Sequence, residues 1–302
     1  MSENWLKATV REIFRWYLSK FPLRDGKAYF YKLFHRHLAP AERYVTVRLD
    51  KGFKMKLDLK DEEQKKIYFY GHYHERYEAD LVQRLLDADE VFWDIGANVG
   101  YFSLVAATAL NNSGQILAFE PGRLAYERLL DNISLNPFTN IKTFQLAVAA
   151  TEGEAVLYLS ADIADSSASL YHPGKEPAGR QVCMTISLDK FLVEQGLRPP
   201  GFLKIDVEGA ELAVLQGAPN LIAAYTPLLL MEMEEKNLAA AGASKADIQQ
   251  LLTGYGYRAA HLRQGRWRLI DDVAEARGRN IFWFNPALPK HRQKAGRVLN
   301  LG

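Results

Sequence analysis

The chain has 302 residues, 48% of them apolar and 25% charged, which is enough for one large buried core or two modest ones and excludes disordered and collagen-like chains. Its 38 basic and 36 acidic residues leave a formal charge of +2, too balanced for the whole molecule to bind nucleic acid by charge. With Cys183 as its only cysteine it can form neither an internal disulfide nor a multi-thiolate zinc site, which fits a reducing, cytoplasmic compartment.

The charge is unevenly spread, because residues 1–60 carry 14 Lys and Arg against 6 Asp and Glu. Lys7, Arg11, Glu12 and Arg15 interrupt each apolar stretch near the start, so Met1 to Lys20 does not read as a targeting signal. No run approaches the ~20 apolar residues that span a bilayer. From Trp5 to Phe21 the apolar residues recur at three and four, the helical period, and Lys7, Arg11 and Arg15 share one stripe. Such a helix either packs on its own domain or lies on an anionic lipid surface. Alternation over Val45–Leu49 and Phe53–Leu57 about Asp50-Lys51-Gly52 predicts a hairpin. Residues 1–60 are therefore expected to be a basic helix-and-hairpin extension, able to meet an anionic membrane, a lipid-linked substrate or a second subunit.

A main domain is expected over 61–288. Glu75–Leu86 reads as a helix, Glu90–Asp94 as a buried strand, Gly100–Leu110 as a helix and Gln115–Glu120 as a second strand. Leu124–Leu135 is helical and Ile141–Val148 extended; Phe202–Asp206 and Leu228–Glu232 are apolar strands ending on carboxylates. Tyr257–Leu262 and Asn280–Phe284 are candidates for a reversed finish. This alternation predicts an α/β fold, a doubly wound, Rossmann-like parallel sheet. Glu154–Leu159 and Val182–Ser187 look like inserted strands, with a polar lid loop over 160–180 between them. The tail from 289 to 302, with Lys290, His291, Arg292, Lys294 and Arg297, reads as a basic solvated end.

Ligands of such sheets sit beyond the carboxyl ends of the strands. Val91-Phe92-Trp93-Asp94-Ile95-Gly96-Ala97-Asn98-Val99-Gly100 carries a strand into a turn where Gly96 and Gly100 free the backbone and let a ligand approach. Asn98 replaces the middle glycine of the dinucleotide fingerprint, and the Asp94 carboxylate repels pyrophosphate but attracts an ammonium. Glu120 can accept hydrogen bonds from two ribose hydroxyls. Together they suit a nucleoside with a cationic amino acid tail, which describes S-adenosylmethionine. Asp206, Glu208 and Glu232 end neighbouring strands, where they could hold a divalent metal, orient a hydroxyl or act as a general base. His72, His74 and His172, the last in the lid loop, are further base candidates.

Asp94-x-Gly-Ala-Asn-x-Gly, Phe119-Glu120-Pro121, Ser187-Leu188-Asp189 and Lys204-Ile-Asp-Val-Glu-Gly-Ala-Glu211 resemble the FkbM family of S-adenosylmethionine-dependent methyltransferases, over roughly residues 65–235. The resemblance implies a class I methyltransferase fold, seven strands with the last antiparallel, and methyl transfer to oxygen on sugars, polyketides or other natural products. It places Glu75, Asp94, Gly96, Asn98, Gly100 and Glu120 around the cofactor, with Asp206 and Glu208 facing the transferred methyl. Pro121, Val148 and Asp206 are expected among the cofactor residues as well, and Glu232 and His172 beside Asp206 and Glu208 at the reacting hydroxyl. A small-molecule or glycan acceptor is expected. Without the Asn/Asp-Pro-Pro-aromatic signature of amino-methylating enzymes, nucleic acid is not. A nicotinamide-dependent oxidoreductase and a non-catalytic cofactor-binding module are the competing readings.

Overall fold

The computed structural model describes residues 5–21, 26–159, 168–172, 176–276 and 278–299. It divides into two compact units, Met1–Arg76 and Tyr77–Gly302. In the first, α1 (Trp5–Lys20) and α2 (Lys27–Leu38) precede the hairpin of β1 (Tyr44–Arg48) and β2 (Lys54–Asp58), and α3 (Glu62–Tyr70) follows. The unit extends past the expected boundary at residue 60 because α3 is bound to the hairpin. Asp61 caps α3 by accepting from the Glu63 and Gln64 amides, and Gln64 Oε1 accepts from the Asp58 amide at 2.9 Å. The hairpin is antiparallel as expected, with Gly52 at φ 93° supplying the left-handed residue of its loop. The helix α2 was not foreseen, since its apolar and basic residues interleave.

The second unit begins with α4 (Arg76–Leu85), β3 (Val91–Ile95), α5 (Tyr101–Leu110), β4 (Gln115–Phe119), α6 (Arg123–Ser134) and β5 (Ile141–Phe144). There follow β6 (Ala147–Val148), β7 (Gly153–Leu159), β8 (Ala168–Ser169), β9 (Gly179–Ile186) and α7 (Leu188–Glu194). Then come β10 (Phe202–Ile205), α8 (Glu211–Gln216), α9 (Pro219–Tyr225), β11 (Leu228–Glu232), α10 (Glu235–Ala240) and α11 (Lys245–Gly254). The chain finishes with β12 (Arg258–Arg263), β13 (Arg266–Ile270), β14 (Asn280–Phe284) and α12 (Pro289–Ala295).

The main sheet has the order β13-β12-β14-β11-β10-β3-β4-β5. From β5 to β11 neighbours are parallel, whereas β14 runs antiparallel to both β11 and β12. This is the doubly wound class I methyltransferase arrangement with its last strand reversed. It has eight strands rather than seven. The extra one, β13, folds back on β12 through Gln264 and Gly265, both at positive φ, the two-residue hairpin turn that matches strand twist. Ile141–Val148 also splits. Its first half joins this sheet, and Ala147–Val148 pairs with β9 in a second sheet of order β6-β9-β7-β8. Of the expected lid loop, residues 160–167 and 173–175 lie outside the described residues.

The strands β3, β10 and β11 are buried along their whole length, as parallel strands covered on both faces must be, and so is the antiparallel β14. The C-terminal segment corrects the sequence reading. It is not a solvated end, because α12 buries His291, Lys294 and Ala295. Lys294 Nζ donates to the Leu85 carbonyl and pairs with Glu90, itself buried at the start of β3. Burial would raise the Glu90 pKa, yet Lys290 and Lys294 together hold it below its ordinary value.

Breaking this pair strands a buried carboxylate. Lys294→Met is expected to cost about 3 kcal/mol of unfolding free energy, the low end for a buried pair because Lys290 still faces Glu90. Lys290→Ala, whose side chain is exposed, is expected to cost under ~1 kcal/mol. Urea midpoints of the two variants check the contrast, and equal losses would refute it.

Candidate active site

The site begins where β3 ends. Gly96 and Gly100 have φ of 79° and 89° and Asn98 between them 49°, so the turn is left-handed three times in five residues. A Cβ on Gly96 would lie 1.8 Å from the Asp206 carbonyl oxygen, and one on Gly100 2.6 Å from Leu129 Cδ1. The glycines thus admit the neighbouring strand end and α6, which corrects the expectation that they clear space for a ligand. The turn's amides are spent inside the protein. Gly96 and Ala97 donate to the Phe119 carbonyl, Asn98 to Glu120 Oε2 and Gly100 to the Ala97 carbonyl. These four donors cannot also cradle a pyrophosphate, as a dinucleotide loop would.

Acceptors, by contrast, are left over. Asp94 is fully buried, and its Oδ2 accepts from Ser103 Oγ at 2.6 Å while its Oδ1 has no hydrogen-bond partner among the described residues. Asn98 Oδ1 is likewise buried and unpaired. Burial pushes the Asp94 carboxyl pKa up, against the Lys204 charge and the Ser103 bond. Glu120, also buried, receives the Gly122 amide on Oε1 at 2.7 Å and the Asn98 amide on Oε2 at 2.9 Å. Each of its oxygens keeps a second lone pair. Burial raises its pKa to about 7, with Asp94 and Asp206 adding to the rise. An unpaired buried carboxylate oxygen is costly unless a donor arrives, so this corner fits a ligand that brings an ammonium and hydroxyls.

Beside it stand the three carboxylates of Asp206, Glu208 and Glu232, with ligand atoms within 4.8 Å of one another. The parallel register of β3, β10 and β11 brings their ends level, pairing Lys204 with Asp94 and with Leu230. Like charges so close cannot all ionise. Burial first, then Asp206 and Glu208, push the Glu232 pKa far up, so Glu232 is the one that keeps a proton. Asp206 lies below its ordinary value although burial, the largest single influence, opposes this, because Lys204, a hydrogen bond with Glu232 and the Arg279 charge together outweigh burial. The Lys204 ammonium donates to Asp206 Oδ2 at 2.8 Å and sits 4.6 Å from the Phe102 ring centre, while Arg279 Nη1 lies 3.2 Å from Glu232 Oε1. Glu208 occupies a left-handed conformation, φ 53°, and its Oε2 accepts from Asn237 Nδ2 at 2.6 Å.

Other expected residues are placed differently. His172 is exposed and its ring meets Tyr158 edge-on, with centroids 5.1 Å apart. His74 bonds Glu63, His72 bonds the Tyr73 carbonyl, and Glu75 is buried, all within the first unit. Val148 belongs to the apolar core. The Pro121 carbonyl accepts from Gln181 of β9 at 3.0 Å, tying the turn after β4 to the second sheet. Sequence reasoning assigned no role to Lys204, although a lysine inside an apolar strand was a visible signal. Asn237 and Arg279 carried none.

A model of the methyltransferase FkbM domain matches residues 94–259. The chain is 30% identical over 182 residues to the hexuronic acid methyltransferase AglP of Haloferax volcanii, covering 59% of this chain and 69% of that protein. It is 31% identical over 152 residues to the methyltransferase sdnD of Sordaria araneosa, covering 41% and 58%. Among solved structures, the methyltransferase FkbM of Methylobacillus flagellatus KT aligns with a TM-score of 0.43 at 15% identity, covering 65% of this chain and 44% of that one. The chain thus spans less than half of that structure and between half and three quarters of the two curated relatives.

The shared proton of the carboxylate group has a measurable consequence. In the folded chain Glu232 keeps a proton that the unfolded chain releases above its ordinary value of 4.5. Its contribution to stability is complete below that value and is lost as pH rises through the elevated folded pKa. Glu232→Gln, which keeps the donor and removes the titration, is expected to raise Tm relative to the parent at pH 9 by about 2–4 °C, the worth of ~1 kcal/mol in a domain this size. At pH 5 it should not. Melting curves at the two pH values check this, and an equal shift at both would overturn the protonated state.

Proposed function

Since the chain belongs to the FkbM methyltransferase family, we propose that it transfers a methyl group from S-adenosylmethionine to a hydroxyl oxygen of a sugar or glycan acceptor. The observation that carries the cofactor is the unpaired, buried Asp94 Oδ1 beside a Glu120 with two free lone pairs. Asp94 would hold the ammonium of the amino acid end, and Glu120 would accept from both ribose hydroxyls. Asn98 Oδ1 offers one more acceptor at the turn. When bound, S-adenosylmethionine supplies a methyl group already activated by its positively charged sulfur. The acceptor class follows the hexuronic acid methyltransferase among the relatives.

The protein's remaining task is to align the hydroxyl and take its proton. Glu208 suits this role best. Asp206 is committed to Lys204, and Glu232 already holds a proton, whereas Glu208 is partly exposed and fixed in place by Asn237. The Glu208 carboxylate would take the proton that the hydroxyl loses as its oxygen receives the methyl group. The charge of the three carboxylates is met by Lys204, Arg279 and one proton.

Two experiments test the reading. Calorimetric titration with S-adenosylmethionine, S-adenosylhomocysteine and NAD is expected to show binding of the two adenosyl ligands alone, weakened at least tenfold in Asp94→Asn. Binding should strengthen from pH 6 to pH 8, because ionised Glu120 accepts the hydroxyls and its pKa of about 7 lies between. Binding of NAD in their place would end the proposal. In a turnover assay on uronic acid glycosides, Glu208→Gln is expected to lose about 100-fold or more with cofactor affinity unchanged, and EDTA to leave turnover intact. Undiminished turnover in the variant would remove Glu208 as the base, and loss with EDTA would restore a metal.

A further inference from the structure

The leading helix of the first unit buries Phe14 and Leu18, as the periodicity predicts, but takes basic residues inside with them. Two of the three residues of the basic stripe, Arg11 and Arg15, face the unit's interior, while Lys7 is exposed. Arg11 is buried, and Arg15 stacks over the Tyr68 ring at 4.3 Å and donates to the Tyr68 carbonyl at 3.0 Å. The opposite side of α1 is apolar and open, with Trp5 75%, Ile13 62% and Trp16 56% exposed. On α2, Tyr29 is 68% exposed, and Phe30 and Leu33 stand beside it in the open. Rings join the two faces: Phe14 of α1 meets Phe34 of α2 edge-on at 6.0 Å, and Tyr17 meets Phe30 at 5.8 Å.

Of these aromatic residues only Phe14 and Tyr31 are buried. A helix that is packed on one side and apolar on the other is missing a second apolar phase. Its chemistry is that of the lipid headgroup zone, where tryptophan and tyrosine rings settle with cations around them. Lys7, Lys20, Lys32 and Arg36 are exposed along the same two helices. Among the described residues of α1 and α2 the sole carboxylate is Glu12, and it is paired with Arg15. No helix among the described residues is long and apolar enough to cross a membrane, so the fitting geometry is one that lies on the surface.

We propose that α1 and α2 form a docking face for an anionic lipid bilayer. The rings enter the headgroup boundary, and the lysines and arginine meet the lipid phosphates. Charge selects the occupant, since a second copy of this chain would set one cationic face against another.

Co-sedimentation of the full chain with vesicles tests it. Vesicles with about a third phosphatidylglycerol are expected to bind at least tenfold more protein than pure phosphatidylcholine, less at 0.5 M salt than at 0.05 M. Ile13→Ser with Trp16→Ser and Phe30→Ser should lose most of that binding, as should Lys20→Glu with Lys32→Glu and Arg36→Glu. All six positions are exposed or rim positions, and unchanged melting curves confirm folding. Equal sedimentation with both vesicle types, or none with either, overturns the proposal. So does a parent chain that scatters as a dimer, becomes a monomer in the apolar variant and ignores vesicles, because the face then belongs to a second copy.

Discussion

Five carboxylates converge at the carboxyl ends of four adjacent strands, and the fold around them is organised by how their charge is balanced. Asp94, Glu120, Asp206 and Glu232 end or follow β3, β4, β10 and β11, and Glu208 lies two residues beyond Asp206. In a buried corner such a group would drive the strand ends apart or neutralise itself by taking up protons. Lys204 prevents the first outcome. It sits in β10 level with Asp94, bonds Asp206 and rests on the Phe102 face of α5. Its position between two carboxylates favours the charged form of both, and Glu232 takes the proton.

This balance leaves one acceptor unspent. Asp94 is bonded through Oδ2 and open at Oδ1, so the corner is prepared for a donor before any ligand arrives. The left-handed turn follows the same logic. Gly96 is required because the Asp206 carbonyl fills the space of a side chain, and the same approach sets β10's acid beside β3's turn. A substitution there would displace the carboxylate group as well as the turn, which couples the two halves of the proposed site through backbone contact.

The parallel core was legible because each strand is a short apolar run ending on an acid or a glycine turn, a pattern that local sequence states in full. The carboxylates of the site were legible for the same reason: strand ends are where such sheets bind ligands. What could not be read depends on distant partners. Lys294 looks like a tail lysine until its carboxylate, 204 residues earlier, is beside it. Asn237 reaches Glu208 from α10 across 29 residues, and nothing in its neighbours marks it. The hairpin to β13 did have a local signal, Gln264-Gly265 between arginines, obscured because its strand is polar at alternate positions on an open edge.

The leading helix shows a different kind of limit. Periodicity locates α1 within a residue of its end, but it cannot say which of two faces turns inward when both carry large side chains. Arg15 can be taken inside because its stem is apolar and its guanidinium group finds a ring and a carbonyl there. Tryptophan and tyrosine, whose rings carry one polar atom each, tolerate the outside better than their hydrophobicity suggests. The choice is made by α3, which offers Tyr68 to the guanidinium of Arg15 and Phe69 to the ring of Phe14. Once those two contacts are formed, the remaining aromatic residues of α1 have only the outer face to occupy.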